Sequence, residues 1–253
     1  MSAALLAVDV GNTDTSWAIF NSERIIVTSG RMPSQTWASE SCVVPADWRN
    51  ARTAVVSSVL RGVPDGLRTA LANCVRRVLV FPDDIPSPLP IDIDRPEQVG
   101  ADRIAAAAGG LARLRAMGQA SAGAVIIDAG TAMTVDALSP SGAYSGGTIA
   151  AGIRLSLRAL NAHTARLPLV EINDDIRLPG RDTESAMRAG VIIGAAGAAD
   201  LIGERITEAV GIKGPWFITG GYSALIAKWM RHKTIIVPHL TLEGLAEAGG
   251  DRI

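Results

Sequence analysis

One short turn occurs twice in this chain of 253 residues, each time after an apolar run that is typical of a buried strand. The first copy is Asp9-Val-Gly-Asn-Thr13, and the second is Asp128-Ala-Gly-Thr-Ala132. A second strand-like run follows each turn, so both copies predict a strand, a tight turn and a strand. A duplicated hairpin predicts a duplicated domain, with a cleft between the two halves.

The residue types in this turn suit a metal-bound phosphate chain. The Asp at the strand end offers a carboxylate to a cation, and the Gly lets backbone N–H groups approach an anion. The Asn or Thr adds a short polar contact. An ordinary Asp-Gly hairpin turn has the same pattern, and a single copy would favour that interpretation. Two copies in matching contexts favour phosphate binding.

Composition and charge argue against several function classes. The chain carries 24 basic and 25 acidic residues, which leaves no basic footprint for a nucleic acid. Residues 1–8 lack the basic start of a secretory signal, and the apolar stretch 189–199 is shorter than the ~20 residues that span a bilayer. The two cysteines form no CxxC pair, which fits a reducing compartment. We therefore expect a cytoplasmic protein that binds neither nucleic acid nor membrane.

Strand-like and helix-like runs alternate along the chain, which predicts an α/β fold. We expect a first domain over residues 1–117 and a second over 118–253, with the small polar segment 118–123 as a hinge. Besides the two hairpins, the patterns predict strands at 25–28, 52–59, 78–81 and 216–219, helices at 65–75, 104–117, 153–162 and 184–210, and a Gly-rich segment at 146–152 that opens a helix.

With these segments placed, the chain resembles the type III pantothenate kinases, which belong to the acetate kinase, sugar kinase, Hsp70 and actin superfamily. The resemblance runs nearly end to end. Its motifs, in order, are Asp9-Val-Gly-Asn-Thr13, Ser57-Ser-Val59, Gly100-Ala-Asp-Arg103, Asp128-Ala-Gly-Thr131, Gly146-Gly147, Asp182-Thr183, Thr219-Gly-Gly221 and Pro238-His-Leu-Thr-Leu-Glu-Gly-Leu245. It implies two duplicated ribonuclease H-like (actin-like ATPase) domains with a nucleotide cleft between them.

The resemblance also implies an activity. Members of this family transfer the γ-phosphoryl group of ATP to the primary hydroxyl of pantothenate, in the first step of coenzyme A biosynthesis. They act as homodimers, and they need a divalent cation such as Mg²⁺ and a monovalent cation, K⁺ or NH₄⁺. The absence of a Walker lysine motif fits a site that neutralises phosphate charge through bound cations.

Carried over by position, the resemblance assigns three groups of residues. Asp9 lies near the divalent cation, Asp128 coordinates the monovalent cation, and Asp102 is the general base. The nucleotide is bound by Asp9, Val10, Gly11, Asn12, Thr13, Asp14, Thr15, Ser16, Thr131, Gly220 and Gly221. Pantothenate is held by Gly100, Ala101, Asp102, Arg103, Thr183 and position 93.

The residues themselves leave several of these roles open. Asp102 also fits a helix cap, and both roles are compatible, since a positive helix end keeps a carboxylate ionised. Arg103 either contacts a substrate oxygen or pairs with a surface acid. Thr183 follows Asp182 and precedes Glu184, which is also the pattern of a helix start.

Four positions depart from the family pattern. Ile93 stands where a tyrosine is common, so a contact to pantothenate is missing, and Ala151 replaces a proline. Asp14 and Asp182 stand where asparagine is frequent. Because a carboxylate beside a triphosphate is repulsive, we expect Asp14 to point away from the ligand.

Two alternatives to a pantothenate kinase stay open from the sequence. The first is a nucleotide-binding regulatory or accessory protein without kinase activity, which would have no need of Asp102 or Thr183. The second is a kinase of another small hydroxylated substrate, such as a sugar. It stays open because Ile93 replaces the tyrosine that is common in the family.

Overall fold

The structure is a computed structural model that describes residues 5–39 and 42–250. Its first sheet contains five strands, and its second sheet contains five more. The first half holds β1 (Leu5–Val10), β2 (Asp14–Phe20), β3 (Ile26–Pro33), β4 (Thr53–Ser58), α1 (Asp65–Ala72), β5 (Arg77–Val80) and α2 (Ala101–Ala116). The rest holds β6 (Ala124–Ala129), β7 (Ala132–Leu138), β8 (Tyr144–Ala151), α3 (Ile153–Ala162), α4 (Thr183–Val210), β9 (Trp216–Thr219), α5 (Ser223–Ala227), β10 (Thr234–Ile236) and α6 (Leu240–Gly249).

The two sheets have the same topology, which confirms the duplicated α/β fold. The first sheet has the strand order β3-β2-β1-β4-β5, and the second has the matching order β8-β7-β6-β9-β10. In each sheet the middle strand pairs antiparallel with its hairpin partner and parallel with the strand on its other side. β1 and β6 also share one burial pattern, in which every residue is buried except the aspartate next to the strand end. The repeated turn is therefore part of a repeated fold.

The chain divides into two compact units whose boundary is more complex than a single cut. One unit runs through Gly118 and adds residues 142–144 and the segment that starts at His239, and the other takes the remaining residues. The expected second domain, 118–253, thus loses its last segment to the first unit. The reason is packing, because Leu242 and Leu245 of α6 lie in the same apolar cluster as Leu5 of β1.

Small residues let α6 approach α2 closely within the first unit. A Cβ built on Gly244 of α6 would collide with the Ala105 carbonyl of α2, and a Cβ on Gly109 of α2 would collide with the Leu240 carbonyl of α6. The alanine-rich sequence of α2 serves this contact. The other face of the first sheet carries a cluster of three tryptophans, Trp17, Trp37 and Trp48.

The core of the second unit is built around α4. Its buried side chains, among them Met187 and Ile192, pack with apolar residues of β6 and β7. This is the one helix in the described part of the chain that is long and apolar enough to cross a membrane by length and composition. It also carries the buried Asp200, whose carboxylate accepts hydrogen bonds from the backbone N–H groups of Arg231 and His232. These contacts identify α4 as a core helix of its unit.

The Gly-rich segment 146–152 leads into α3, as predicted, with Gly152 as the N-cap of that helix. The structure adds that the segment forms most of the edge strand β8. Gly147 lies so close to Val135 and Asp136 of β7 that a Cβ there would collide with them. Glycine permits this close pairing of strands, and the pattern of small residues alone does not reveal it.

Candidate active site

The first copy of the repeated turn brings a carboxylate to the end of a central strand. β1 ends at Val10, and the Gly11 N–H donates a hydrogen bond to the Asp14 carbonyl over 3.0 Å. A Cβ built on Gly11 would lie 2.8 Å from that carbonyl oxygen, so the turn needs glycine here. Asp9, one residue before the last residue of β1, is held by sheet pairing on both sides.

Strand pairing aligns four polar residues across the first sheet. Asp9 lies opposite Ser16 of β2 and opposite Ser57 of β4, and Ser16 lies opposite Arg31 of β3. Paired residues of adjacent strands project from the same face, so the four residues form one polar row. The Ser57 hydroxyl donates a hydrogen bond of 2.6 Å to Asp9 Oδ1.

The Asp9 carboxyl has an unusual electrostatic environment. Its pKa is raised to about 7, mainly by burial and to a smaller extent by the nearby Asp102 carboxylate. The hydrogen bond from Ser57 and the positive charge of Arg31 lower the pKa, but by less. Asp9 is thus costly to ionise in the ligand-free protein, and a bound cation would remove that cost.

Asp102 lies in the first turn of α2 and faces the same site. The helix begins at Ala101, not at Ile104 as the periodicity predicts, and its N-cap is Gly100 without a side-chain cap bond. Asp102 Oδ1 accepts a hydrogen bond of 2.9 Å from the Arg103 N–H, and a Cβ on Gly100 would collide with the same oxygen. The carboxylate therefore lies over the helix N-terminus without serving as the N-cap.

A short loop and an aromatic ring lie beside α2 in the same unit. The Arg103 guanidinium carbon is 5.8 Å from the ring centroid of Tyr144, a cation–π distance. The Tyr144 N–H donates to the Pro90 carbonyl over 2.9 Å, and its carbonyl accepts from the Asp92 N–H over 2.8 Å. These bonds hold the backbone next to the half-buried Ile93. Arg103 is thus placed by an aromatic face, which neither sequence interpretation included.

The second copy of the turn holds Asp128 between glycines. A Cβ on Gly130 would lie 3.3 Å from Asp128 Oδ1, and a Cβ on Gly220 would collide with that oxygen. Gly220 also has a φ of +90°, which disfavours any other residue. By strand pairing, Asp128 lies opposite Thr134 and Thr219, the counterparts of Ser16 and Ser57. The polar row around the strand-end carboxylate is therefore duplicated as well.

The remaining predicted residues of the second unit are at its surface. Thr131 and Gly221 are exposed, and the Thr131 carbonyl accepts a hydrogen bond of 3.0 Å from Gly152. Thr183 is the exposed first residue of α4. The helix is capped by Asp182, which accepts a hydrogen bond of 2.8 Å from the Ser185 N–H, and this bond lowers the pKa of Asp182. Thr183 is thus left outside the capping box.

The strands β1 and β2 fix where three residues of the predicted nucleotide segment lie. The side chains of Val10 and Thr15 are fully buried, and the Thr15 hydroxyl accepts a hydrogen bond of 2.8 Å from Trp37 Nε1. Val10 ends β1 and packs in the apolar cluster under the first sheet, and strand alternation in β2 directs Thr15 into the core. The same alternation puts Asp14 on the face of Ser16.

The structure adds two residues that the sequence prediction did not assign. Arg31 and Ser57 both belong to the polar row around Asp9. Ser57 gave a usable signal, because it interrupts the apolar run of β4 one residue before the strand ends. Arg31 gave no signal in the sequence, since only the pairing of β3 with β2 brings it into the polar row. Within residues 5–39 and 42–250, no group of three or more His, Cys, Asp or Glu side chains is arranged to hold a metal ion.

Comparison with solved structures identifies the fold. A conserved Baf family protein from Campylobacter jejuni is similar with a TM-score of 0.59 and 18% identity, and 98% of each chain is covered. The activator of 2-hydroxyisocaproyl-CoA dehydratase from Clostridium difficile, solved with bound ADPNP, is similar with a TM-score of 0.50 and 12% identity over 98% of this chain and 97% of that one. The fold is the actin-like fold, with two ribonuclease H-like domains.

Comparison of sequences identifies the family. The family model for type III pantothenate kinase matches residues 5–205. A type III pantothenate kinase of Dehalococcoides mccartyi is 34% identical over 97% of this chain and 96% of the relative. One from Myxococcus xanthus is 34% identical over 95% and 96%, and one from Rubrobacter xylanophilus is 35% identical over 95% of each. The chain belongs to the type III pantothenate kinase family.

The raised pKa of Asp9 predicts a pH-dependent stability of the ligand-free protein. Ionisation is disfavoured in the folded state, so Asp9 lowers the free energy of unfolding as the pH rises from 3.8 towards 7. Asp9→Asn removes this ionisation, and we expect it to stabilise the protein at pH 8 by about 1–3 kcal/mol and by much less at pH 5. Urea unfolding at both pH values, without nucleotide or Mg²⁺, measures the difference.

Magnesium provides the control for this experiment. Added Mg²⁺ should reduce the advantage of Asp9→Asn at pH 8, because a cation beside the carboxylate removes the cost of its charge. If the free energies of unfolding of Asp9→Asn and the wild-type protein differ by the same amount at both pH values, the raised pKa of Asp9 is contradicted.

Proposed function

We propose that this chain catalyses the transfer of the γ-phosphoryl group of ATP to the primary hydroxyl of pantothenate, which yields 4′-phosphopantothenate in the first step of coenzyme A biosynthesis. Membership of the type III pantothenate kinase family supports this activity. The observation that carries it is the position of Asp9 and Asp102 in one unit, where the Asp102 carboxylate is close enough to raise the pKa of Asp9. Asp9 suits the binding of the divalent cation of the nucleotide, and Asp102 suits the removal of the proton from the acceptor hydroxyl.

Asp102 is the proposed general base. It lies in the first turn of α2, where the helix dipole stabilises a negative charge. An ionised carboxylate there can accept the proton of the pantothenate hydroxyl as its oxygen attacks the γ-phosphorus. Arg103 follows it on the helix, and the Tyr144 ring orients its guanidinium for a substrate oxygen. Ile93 contributes only an apolar surface at the position where relatives carry a phenol.

Asp9 fits the role of the residue that holds the divalent cation of the nucleotide. Oxygen donors such as carboxylates suit Mg²⁺, and the raised pKa of Asp9 shows that its charge lacks full compensation in the ligand-free protein. When bound, Mg²⁺ supplies the neutralisation of phosphate charge. Arg31 adds a fixed positive charge two strands away from Asp9. The Gly11 turn lets the phosphate chain approach the backbone.

The activity is tested by incubating the purified protein with ATP, Mg²⁺ and K⁺, with and without pantothenate. We expect release of ADP that depends on pantothenate, and formation of phosphopantothenate by mass spectrometry. The variant Asp102→Asn keeps the size of the side chain and removes its basicity. It should lower kcat by about 10²–10⁴ and leave ATP affinity nearly unchanged.

Two results would count against these assignments. Full turnover by Asp102→Asn would remove Asp102 as the base. Tight nucleotide binding without phosphopantothenate in the wild-type protein would refute pantothenate as the acceptor.

A monovalent cation site at Asp128 is a further part of the proposal. The Asp128 carboxylate lies against Gly130 and Gly220, positions at which any side chain would crowd it. A carboxylate held at a strand end beside backbone carbonyls is a suitable donor set for K⁺ or NH₄⁺. We expect activity in potassium chloride and little in sodium chloride, and Asp128→Asn should lower activity in potassium to the sodium level. Equal wild-type activity in both salts would contradict a selective site.

We further propose a cytoplasmic homodimer, as in the family. An exposed small-residue face of α4 supports close contact with a second copy. It contains Ala186, Gly190, Gly194, Gly197 and Leu201, and a Cβ on any of the three glycines would meet open space. Leu201→Glu is expected to convert a dimer into a monomer by light scattering. A wild-type mass near the 26.3 kDa of one chain would refute the dimer.

A further inference from the structure

Ser34 forms a set of hydrogen bonds behind the first repeated turn. It is the first residue after β3 and is buried. Its backbone N–H donates to the Thr13 carbonyl over 2.9 Å, and its hydroxyl donates to the Gly11 carbonyl over 2.7 Å. Two carbonyls of the same turn are therefore held by one residue from outside the hairpin.

The Ser34 hydroxyl is itself oriented by two buried side chains. Trp37 Nε1 donates to Thr15 Oγ1 over 2.8 Å, and Thr15 Oγ1 lies 3.0 Å from Ser34 Oγ. The only hydroxyl hydrogen of Ser34 is directed at Gly11, so the hydrogen between the two hydroxyls comes from Thr15. The donors thus run in one direction, from Trp37 through Thr15 and Ser34 to the Gly11 carbonyl. We call these three side chains the hydroxyl relay.

The relay fixes the orientation of one peptide group in the turn. In a planar trans peptide the C=O and the following N–H point in opposite directions. The Gly11 carbonyl points to Ser34, so the Asn12 N–H points away from Ser34. Asn12 is exposed, so this N–H is directed to the open side of the turn. An N–H held in this way is oriented to donate to an anion.

We propose that Ser34 is a positioning residue for the nucleotide, which holds the 11–12 peptide so that the Asn12 N–H donates to the phosphate chain. This inference rests on the proposed ATP site at the same turn. The relay also provides hydrogen-bond partners for the buried Thr15 hydroxyl and for the N–H of the buried Trp37 side chain. Without Ser34, the Gly11 carbonyl loses its partner and the peptide is free to rotate.

The test compares Ser34→Ala with a matched control, Ser87→Ala. Ser87 also donates a hydroxyl hydrogen bond of 2.7 Å to a backbone carbonyl, that of Leu89, but it lies in the loop after β5. We expect Ser34→Ala to raise the Kd for ATP with Mg²⁺ about tenfold, on the scale of one lost hydrogen bond to an anion. Ser87→Ala should leave it unchanged. The KM for ATP should rise while the KM for pantothenate stays constant.

Two further variants distinguish a loss of nucleotide positioning from a loss of folding. Ser34→Thr keeps the hydroxyl and should restore most of the ATP affinity. Thr15→Val keeps the shape of the side chain and interrupts the relay one step earlier, so it should raise the Kd for ATP by less than Ser34→Ala. Thermal unfolding identifies any variant that does not fold, and Thr15→Val then replaces Ser34→Ala in the comparison.

Several outcomes would overturn the proposal. They are an ATP Kd for Ser34→Ala within twofold of wild type, an equal rise for Ser87→Ala, and an equal rise in the KM for pantothenate. If the wild-type protein binds ATP but forms no phosphopantothenate, the proposed acceptor is wrong, and the series of ATP Kd values still decides the role of Ser34.

Discussion

A carboxylate at the end of the middle strand of each sheet is the constraint on which this molecule depends. The middle strand has a neighbour on both sides, so Asp9 and Asp128 are held by backbone pairing and have little freedom to move away. The charge of a half-buried carboxylate is expensive unless a hydrogen bond, a cation or a positive side chain compensates for it. Hydroxyl side chains flank both carboxylates, and two glycines, Gly130 and Gly220, lie against the carboxylate of Asp128.

The two units use this common arrangement differently. In the first unit, α2 brings a second carboxylate, Asp102, near Asp9, and Arg31 provides positive charge. In the second unit, Gly220 takes a backbone conformation that brings it against Asp128. Neighbouring acids with a shifted pKa are typical of functional sites. Duplication therefore produced one scaffold with two electrostatic environments.

Much of the fold and part of the site could be predicted from local pattern. The hairpins, β9 and the long helix α4 follow from apolar periodicity and from turns that contain glycine. The Gly-rich segment 146–152 leads into α3 as predicted, but its pattern does not reveal the strand β8 or the close approach of β8 to β7. Thr15 lies in the segment that the family resemblance assigns to the nucleotide, and strand alternation, which the motif alone does not show, directs its side chain into the core.

The sequence by itself determined the duplicated hairpin, the strand-end carboxylates, the motif around Asp102 and membership of the kinase family, because these depend on the order of neighbouring residues. Only the tertiary structure decided that α6 belongs to the first unit, that Arg31 and Ser57 flank Asp9, and that Ser34 holds the Gly11 turn. Each of these contacts joins residues far apart in the chain. Strand register and helix packing bring them together, and no short-range pattern encodes that.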